Sequence, residues 1–469
     1  MNVLFIAIDT LRADRLSCYG HFNHTSPHLD RLAERGVVFD NFFAPHIPTH
    51  PGYTTIFTGR DVWAHQIVSQ GAARELDPAI PTLPELLKGR GYFTAAADNL
   101  GRWFRRGFDL YEGYMWRRDP AGGWNKAEAV NRTAFRILEA CAAQPKPWLA
   151  YIHYWDPHTP YLPPPPFDRM FYYGNEKDPA NTSMNPVWQL EAFKYYFMEW
   201  MPGVTDIKFP CMQYDAEIAY CDTCLEALFT CVRALGLDRD TLIVVTSDHG
   251  EELDEHGLWF DHHGLYDTNL HVPLILAHPD LPKGKRVAAW ARHQDLAPTI
   301  LELLGFASDA GNANMDGLSL VPWIFGARSE DVADALFCTE CTWTRRWCVK
   351  TRQWHYIESA EPDPFGKPDR ELYDLATDAG QLHNLAPERP DTVQAMHQML
   401  RDHIEARVAA TGNPDPVETG QITLRRVGNV NVAIPQDQVL ERQQTNNPGQ
   451  SGDFWEDPTS QRLFGMGYL

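Results

Sequence analysis

Three features of the 469-residue chain predict an α/β fold, an open and largely parallel sheet flanked by helices. Short apolar, β-rich runs recur at 3–8 (VLFIAI), 93–97 (FTAAA), 148–155 (WLAYIHYW) and 242–247 (LIVVTS). Their near-continuous hydrophobicity is that of strands buried on both faces. Helical patterns around 126–143 and 212–236 alternate with them, and this βαβ order gives a parallel sheet with helices on both sides. Each run also stops at acidic or imidazole side chains: Asp9, Asp98-Asn99, Asp156 with His158, and Asp248-His249. The ligand crevice of such a sheet lies beyond the strand C-termini, so these groups are expected along one edge.

The remaining elements follow in order. Ser26-Pro27 opens a helix as N-cap and first-turn proline, and Gly36 closes it. The stretch PHIPTHPGY predicts a turn entering a short helix over 54–57 that ends at Gly59. From 160 to 211 the periodicity fails in a proline- and aromatic-rich insertion, which reads as a lid, a binding loop, an oligomer contact or an excursion with its own small core. A capped helix runs from Asp295 to Gly305, hairpins follow over 335–357, and another helix lies near 390–408. The predicted organisation is therefore a catalytic α/β domain over 1–325, a smaller C-terminal α+β subdomain over 326–411, and a polar tail over 412–469. That tail is expected to be disordered or to lie on a neighbouring subunit, which favours a homo-oligomer.

Composition narrows the function. Lys and Arg total 41 against 62 Asp and Glu, a net charge of −21, with 44% hydrophobic and 12% aromatic residues. This is ample for a core and excludes a wholly disordered chain. The acidic balance disfavours nucleic acid as the main partner, but is compatible with a small anionic substrate held by a local cation. No apolar run reaches the roughly 18–20 residues that span a bilayer, and the first strand carries no cleavage-site pattern. No membrane association and a cytoplasmic location are expected. Nine scattered Cys fit a reducing compartment. The pairs Cys221/Cys224 and Cys338/Cys341 have the spacing of half a zinc site each, but the first falls in a helical pattern where Cys serves as a small core residue.

Asp9, Asp248 and His249 make the sharpest constellation. Two carboxylates and an imidazole suit a divalent cation, and the imidazole moves the expectation towards Mn²⁺ or Zn²⁺, with Ca²⁺ and Mg²⁺ as alternatives and a second ion left open. Thr49 is the second element. A threonine at a helix N-terminus is ordinarily an N-cap; the same place, with unpaired amides and a nearby cation, also favours an alkoxide and an attacked oxyanion.

These residues carry a resemblance. IAIDTLRADRLSCYG, HTSPHLDRLAERGVVFDNFFA, PTHPGYTTIFTGR, DPHTPY, TSDHGEELDEHG with HHGLYDTNLHVPLIL, DLAPTILELLG and ELYDLATDAGQLHNLA resemble, in this order, the landmarks of the sulfatase family within the alkaline phosphatase superfamily. The resemblance covers residues 1 to about 390. It implies a mixed, largely parallel alkaline-phosphatase-like sheet with a small C-terminal domain. It also implies a divalent metal on Asp9, Asp248 and His249 that is touched by the nucleophile at Thr49, with His158 assisting the leaving group and His262 contacting substrate oxygen. Asn99, Tyr53 and His263 occupy positions expected to bind substrate, while His153, Asp156, His263 and His271 are expected to support the metal ligands or to add ligands for a second ion.

The departures from the pattern set the function. Most sulfatases carry Cys-x-Pro-x-Arg, whose Cys becomes formylglycine; here Thr49-His50-Pro51-Gly52-Tyr53 stands in its place. An esterified threonine has no aldehyde to collapse to and must be cleaved by water attacking the central atom, which suits phosphoryl better than sulfuryl esters. The expectation is a metal-dependent hydrolase of phosphodiesters or phosphonate monoesters acting on a small anionic ester with Thr49 as nucleophile. A sulfuric ester hydrolase without formylglycine and a degenerate binding protein are the alternatives.

Overall fold

The computed structural model describes residues 1–70, 74–190, 194–363 and 365–419. The polar tail beyond 419, with its expected oligomer arm, lies outside the described residues. The strands are β1 (Asn2–Ile8), β2 (Val37–Phe43), β3 (His46–Ile47), β4 (Phe93–Ala97), β5 (Leu110–Glu112), β6 (Trp148–Tyr154), β7 (Thr241–Thr246), β8 (His271–Ala277), β9 (Lys285–Arg292), β10 (Leu336–Cys341), β11 (Arg345–Lys350), β12 (Trp354–Ser359) and β13 (Arg370–Asp374).

Among the described residues the large sheet has eight strands in the order β5-β4-β6-β1-β7-β8-β2-β9. It is parallel except at β8, which runs antiparallel to both β7 and β2. β1 lies at the centre between β6 and β7. Its alternate side chains feed two cores: Leu4, Ile6 and Ile8 enter one, Val3, Phe5 and Ala7 the other. This is why the run has no polar face. Helices Lys126–Ala142 and Lys208–Ala234 cover the first side. Cys221 and Cys224 sit in that core while Cys338 and Cys341 lie on β10, so the two pairs do not meet in a zinc site. No helix among the described residues is long and apolar enough to cross a membrane.

The small sheet has the order β13-β12-β11-β10-β3, antiparallel except where β10 meets β3 in parallel. Helix Pro390–Thr411 buries Val393, Met396, Leu400 and Ile404 against it, a spacing that puts all four on one helical face. One of these strands, β3, comes from the N-terminal part of the chain and immediately precedes Thr49. Thr339 and Glu340 of β10 pair with His46 and Ile47, so the small sheet holds the entry to the Thr49 helix. The insertion packs inward: Met184, Val187, Tyr196, Phe197, Met201 and Val204 join the first core. Phe197 meets Phe260 with ring centres 5.8 Å apart.

The short helix Val62–His65 ends on a buried histidine that braces the Thr49 helix. The Ile67 N–H donates to His65 Nδ1 at 3.0 Å, and Nε2–H donates to the Thr55 hydroxyl at 3.0 Å. This neutral tautomer has no room for a second proton, and burial, with Arg60 adding repulsion, drops His65 from 6.5 to about 3. The folded value lies below the unfolded one, so His65 is without effect above its ordinary value and subtracts stability as pH falls from there towards 3. At a pH 1.5 units below the ordinary value the loss is about 2 kcal/mol. His65→Gln is expected to flatten the fall in denaturation midpoint between neutral and mildly acid pH; an unchanged fall would contradict this role.

Candidate active site

The C-terminal ends of β1 and β7, with the start of the helix after β3, carry the first group of polar side chains. Asp9 follows β1, Asp248 and His249 follow β7, and Thr49 is the first residue of helix Thr49–Thr58. Asp9, Asp248 and His249 are fully buried and Thr49 is nearly so, and the three ligand atoms of the first set lie within 4.8 Å of one another. The local geometry shows why the helix comes so near. A Cβ on Gly52 would stand 2.8 Å from the Asp248 carbonyl oxygen and 3.2 Å from its Cβ, so a bare glycine lets the first turn press against the second acidic ligand. Gly52→Ala is expected to displace Thr49 and lower kcat/KM by about 10²-fold, the scale on which a shift of about 1 Å at a site is felt, with the circular dichroism spectrum unchanged. Activity within twofold of the parent would contradict it.

The carboxylates are half-satisfied in a telling way. Asp9 Oδ2 accepts from His153 Nε2 at 3.1 Å, and Asp248 Oδ1 accepts from the Thr10 N–H and the Ser247 hydroxyl, both at 3.3 Å. Their other oxygens, Asp9 Oδ1 and Asp248 Oδ2, are buried without hydrogen-bond partners. His249 Nδ1–H donates to the Gly250 carbonyl at 2.8 Å, which fixes the tautomer and leaves the Nε2 lone pair facing inward, 3.2 Å from Asp248 Oδ2. Acceptors buried against acceptors are unfavourable unless a cation sits among them. The residues present therefore fit a divalent metal ion, with each ligand oriented by an outer hydrogen bond as metal ligands usually are.

Thr49 is not an N-cap. Pro48 holds that position, and the Thr49 hydroxyl donates to His249 Nε2 at 3.2 Å instead of serving the backbone. Electrostatics divides the acids. Burial raises Asp9, but the hydrogen bond from His153 and the fields of His158, His153 and His249 bring it below its ordinary value. Burial and the neighbouring Asp9 push Asp248 up to about 6. His153 sits between Asp9 and Asp98, with Nδ1 donating to Asp98 at 2.8 Å; burial works against its charge, yet the two carboxylates raise it to about 9. It steadies Asp9 rather than adding a ligand.

His158 and His262 line the same cleft. Their ring centres are 5.6 Å apart, and His262 lies 4.7 Å from His249. His158 Nδ1–H donates to the Thr159 carbonyl at 2.8 Å, which leaves Nε2 as a base. Burial lowers His158 to about 4 and His262 well below the ordinary range. Both imidazoles are accordingly neutral and able to accept a proton.

Three expected substrate contacts are placed elsewhere. Asn99 spends both ends of its amide on the Tyr114 backbone, Nδ2 donating to the carbonyl at 3.0 Å and Oδ1 accepting from the N–H at 3.1 Å. Tyr53 is wholly buried beneath the carboxylates, its ring 5.0 Å from His153 and 6.2 Å from Tyr151. His263 is clamped between carboxylates, Nδ1 against Glu340 and Nε2 at 2.8 Å from Asp363; it ties the loop to the small sheet. Asp156 lies 3.8 Å from Lys126, which also meets Glu217 at 3.2 Å, and His271 donates to the Asp40 carbonyl at 2.8 Å. Neither joins the ligand set. Sequence reasoning passed over Glu251 and Asp261, although both stand in the TSDHGEE and DHHGLYD stretches that supplied the other residues.

The family model described as Sulfatase matches residues 1–306. The chain belongs to the sulfatase family. A second model, described as N-sulphoglucosamine sulphohydrolase, C-terminal, matches residues 254–409 of this sulfatase-family chain. Among curated relatives, the choline-sulfatase of Rhizobium meliloti is 25% identical over 455 residues, covering 86% of each chain. Arylsulfatase A of Homo sapiens is 24% identical over 474 residues, covering 90% of this chain and 91% of that one. Among solved structures, the phosphonate monoester hydrolase of Agrobacterium radiobacter superimposes with a TM-score of 0.70 at 22% identity, over 87% of this chain and 96% of that one. The sulfatase-family protein is thus an ester hydrolase with the alkaline-phosphatase-like fold, a mixed sheet and a smaller sheet beside it, and members of its family bind a divalent metal ion.

Proposed function

We propose that this sulfatase-family protein is a metal-dependent hydrolase of phosphodiesters or phosphonate monoesters that uses Thr49 as its nucleophile. The observation that carries the reading is the Thr49 hydroxyl at the start of a buried helix, 3.2 Å from His249, in the place where the family pattern has a convertible Cys. A divalent ion on Asp9, Asp248 and His249, Mn²⁺ or Zn²⁺ by the imidazole in the set, supplies Lewis acidity and lowers the pKa of the threonine hydroxyl.

The chain's own residues do the rest. The Thr49 hydroxyl releases its proton to solvent water, and its oxygen forms a bond to phosphorus in line with the leaving oxygen, whose bond to phosphorus breaks with both electrons so that it departs as the anion. The positive dipole end of the helix that begins at Thr49 favours the anionic oxygens of the phosphoryl group. His158, held neutral, accepts a proton from the water that attacks phosphorus, the bond from phosphorus to Thr49 breaks with both electrons on the threonine oxygen, and His158 returns the proton to that oxygen. His262, beside His249, faces the substrate oxygens.

The test is kcat/KM of the Mn²⁺-loaded protein on one aryl leaving group carried as a phosphodiester, a phosphonate monoester, a phosphate monoester and a sulfate. The singly charged phosphorus esters are expected to lead by at least about tenfold, a transition-state preference of roughly 1.4 kcal/mol. A lead by the sulfate ester would replace this reading with a sulfuric ester hydrolase that works without formylglycine.

A further inference from the structure

Beside the Asp9 cluster a second set of ligand atoms converges. Glu251, Asp261 and His262 each present one ligand atom, and these lie within 4.8 Å of one another. All three residues are buried, at 0%, 2% and 7% exposure. Asp261 is held in place by two donors, the His262 N–H on Oδ1 at 2.8 Å and the Trp343 indole N–H on Oδ2 at 2.6 Å. His262 Nδ1 stands 3.4 Å from Asp261 Oδ1 and 3.9 Å from Glu251 Oε1.

Glu251 supplies the observation that a cluster of acids alone would lack. Neither of its carboxylate oxygens has a hydrogen-bond partner, although the residue is wholly buried. The Tyr161 hydroxyl lies close enough to favour the charged form of Glu251, yet it too is buried without a hydrogen-bond partner. Arg12 passes close by and is used otherwise: it donates to the Glu251 backbone carbonyl at 3.0 Å and pairs with Asp14 at 2.7 Å and Glu255 at 3.0 Å. A carboxylate with no donors, facing a second carboxylate and an imidazole, is compensated by a proton or by a cation. The imidazole and the pre-oriented Asp261 favour the cation, since two carboxylates with one His make a donor set for Mn²⁺ or Zn²⁺.

We propose that Glu251, Asp261 and His262 bind a second divalent cation next to the one assigned to Asp9, Asp248 and His249. Because the His249 and His262 rings are 4.7 Å apart, the two sites open on one cleft, where paired cations can oppose both the entering and the leaving oxygen of a displacement. The role in turnover rests on the proposed hydrolase function; the binding of the ion rests on the residues alone.

Equilibrium dialysis of the full-length protein against Mn²⁺, and separately Zn²⁺, followed by metal analysis tests it. The expected result is two ions per chain for the parent and one for Glu251→Gln. Asp261→Asn keeps the acceptor for the His262 N–H and serves as the second variant, also expected to hold one. Asp248→Asn is expected to retain the second ion while losing the first, and thermal melts establish that each variant is folded. One ion in the parent, kept by Glu251→Gln and Asp261→Asn and lost from Asp248→Asn, would overturn the second site and leave the proposed function standing. A parent that holds none would overturn both.

Discussion

Replacing Thr49 by Ala is expected to lower kcat by about 10⁴-fold or more, the scale on which a nucleophile's removal is felt, while metal content and melting temperature stay as in the parent. The change deletes the hydroxyl and leaves Asp9, Asp248 and His249 with their outer hydrogen bonds. It also removes the proton that Thr49 gives to His249, which costs only about 1 kcal/mol in a site that a cation otherwise satisfies. Serine at the same position restores the oxygen without the methyl group, so Thr49→Ser is expected to recover most of the rate. Measured activity of Thr49→Ala within tenfold of the parent would remove threonine from the reaction and put water in its place.

The second large effect is at Asp248. Asp248→Asn keeps Oδ1 for the Thr10 N–H and the Ser247 hydroxyl, but puts an amide NH₂ where Oδ2 now faces the His249 lone pair at 3.2 Å. That amide competes with the Thr49 hydroxyl for the single Nε2 lone pair, so the metal-free protein keeps one hydrogen bond there and loses a buried charge. The apo form is expected to melt no lower than the parent, and the ion at the Asp9 site to be lost with about a 10³-fold fall in kcat/KM, several kcal/mol of charge stabilisation. Removing the ion from the parent with a chelator is expected to reproduce the loss, and re-addition to reverse it in the parent alone. A variant that still binds the ion at this site and turns over normally would show that Asp248 is not a ligand.

The contrast between what the sequence discloses and what it hides has a physical origin. Asp9, Asp248 and His249 are legible because each directly follows an apolar run that is a strand of a parallel sheet, and such ends face the crevice. His153 is legible as a supporting residue, but its partners are hidden because it stands inside its run, in β6. Its meaning comes from the strand order β4-β6-β1, which sets Asp98, His153 and Asp9 side by side although they are far apart in the chain. The coupling of β3 to β10, which fixes the entry to the Thr49 helix, is hidden for the same reason.

Asn99, Tyr53 and His263 are read from position alone. A motif transfers a position along the chain, not the direction of a side chain: Asn99 turns to the Tyr114 backbone, Tyr53 turns under the sheet edge and His263 turns to Glu340 and Asp363. Glu251 escaped notice because an exposed glutamate and a buried, partnerless one read alike in a sequence, and only its burial gives it chemical weight.

The most direct test of the threonine mechanism is a trapped intermediate. The Mn²⁺-loaded protein, mixed with excess aryl phosphonate monoester and quenched in acid within the first turnovers, is digested and mapped by mass. The account predicts a phosphonyl adduct on the peptide containing Thr49, absent from Thr49→Ala, and ¹⁸O from labelled water entering the product only as that adduct decays. Turnover with no adduct at any time, and label incorporated in the first step, would contradict it and assign the attack to water.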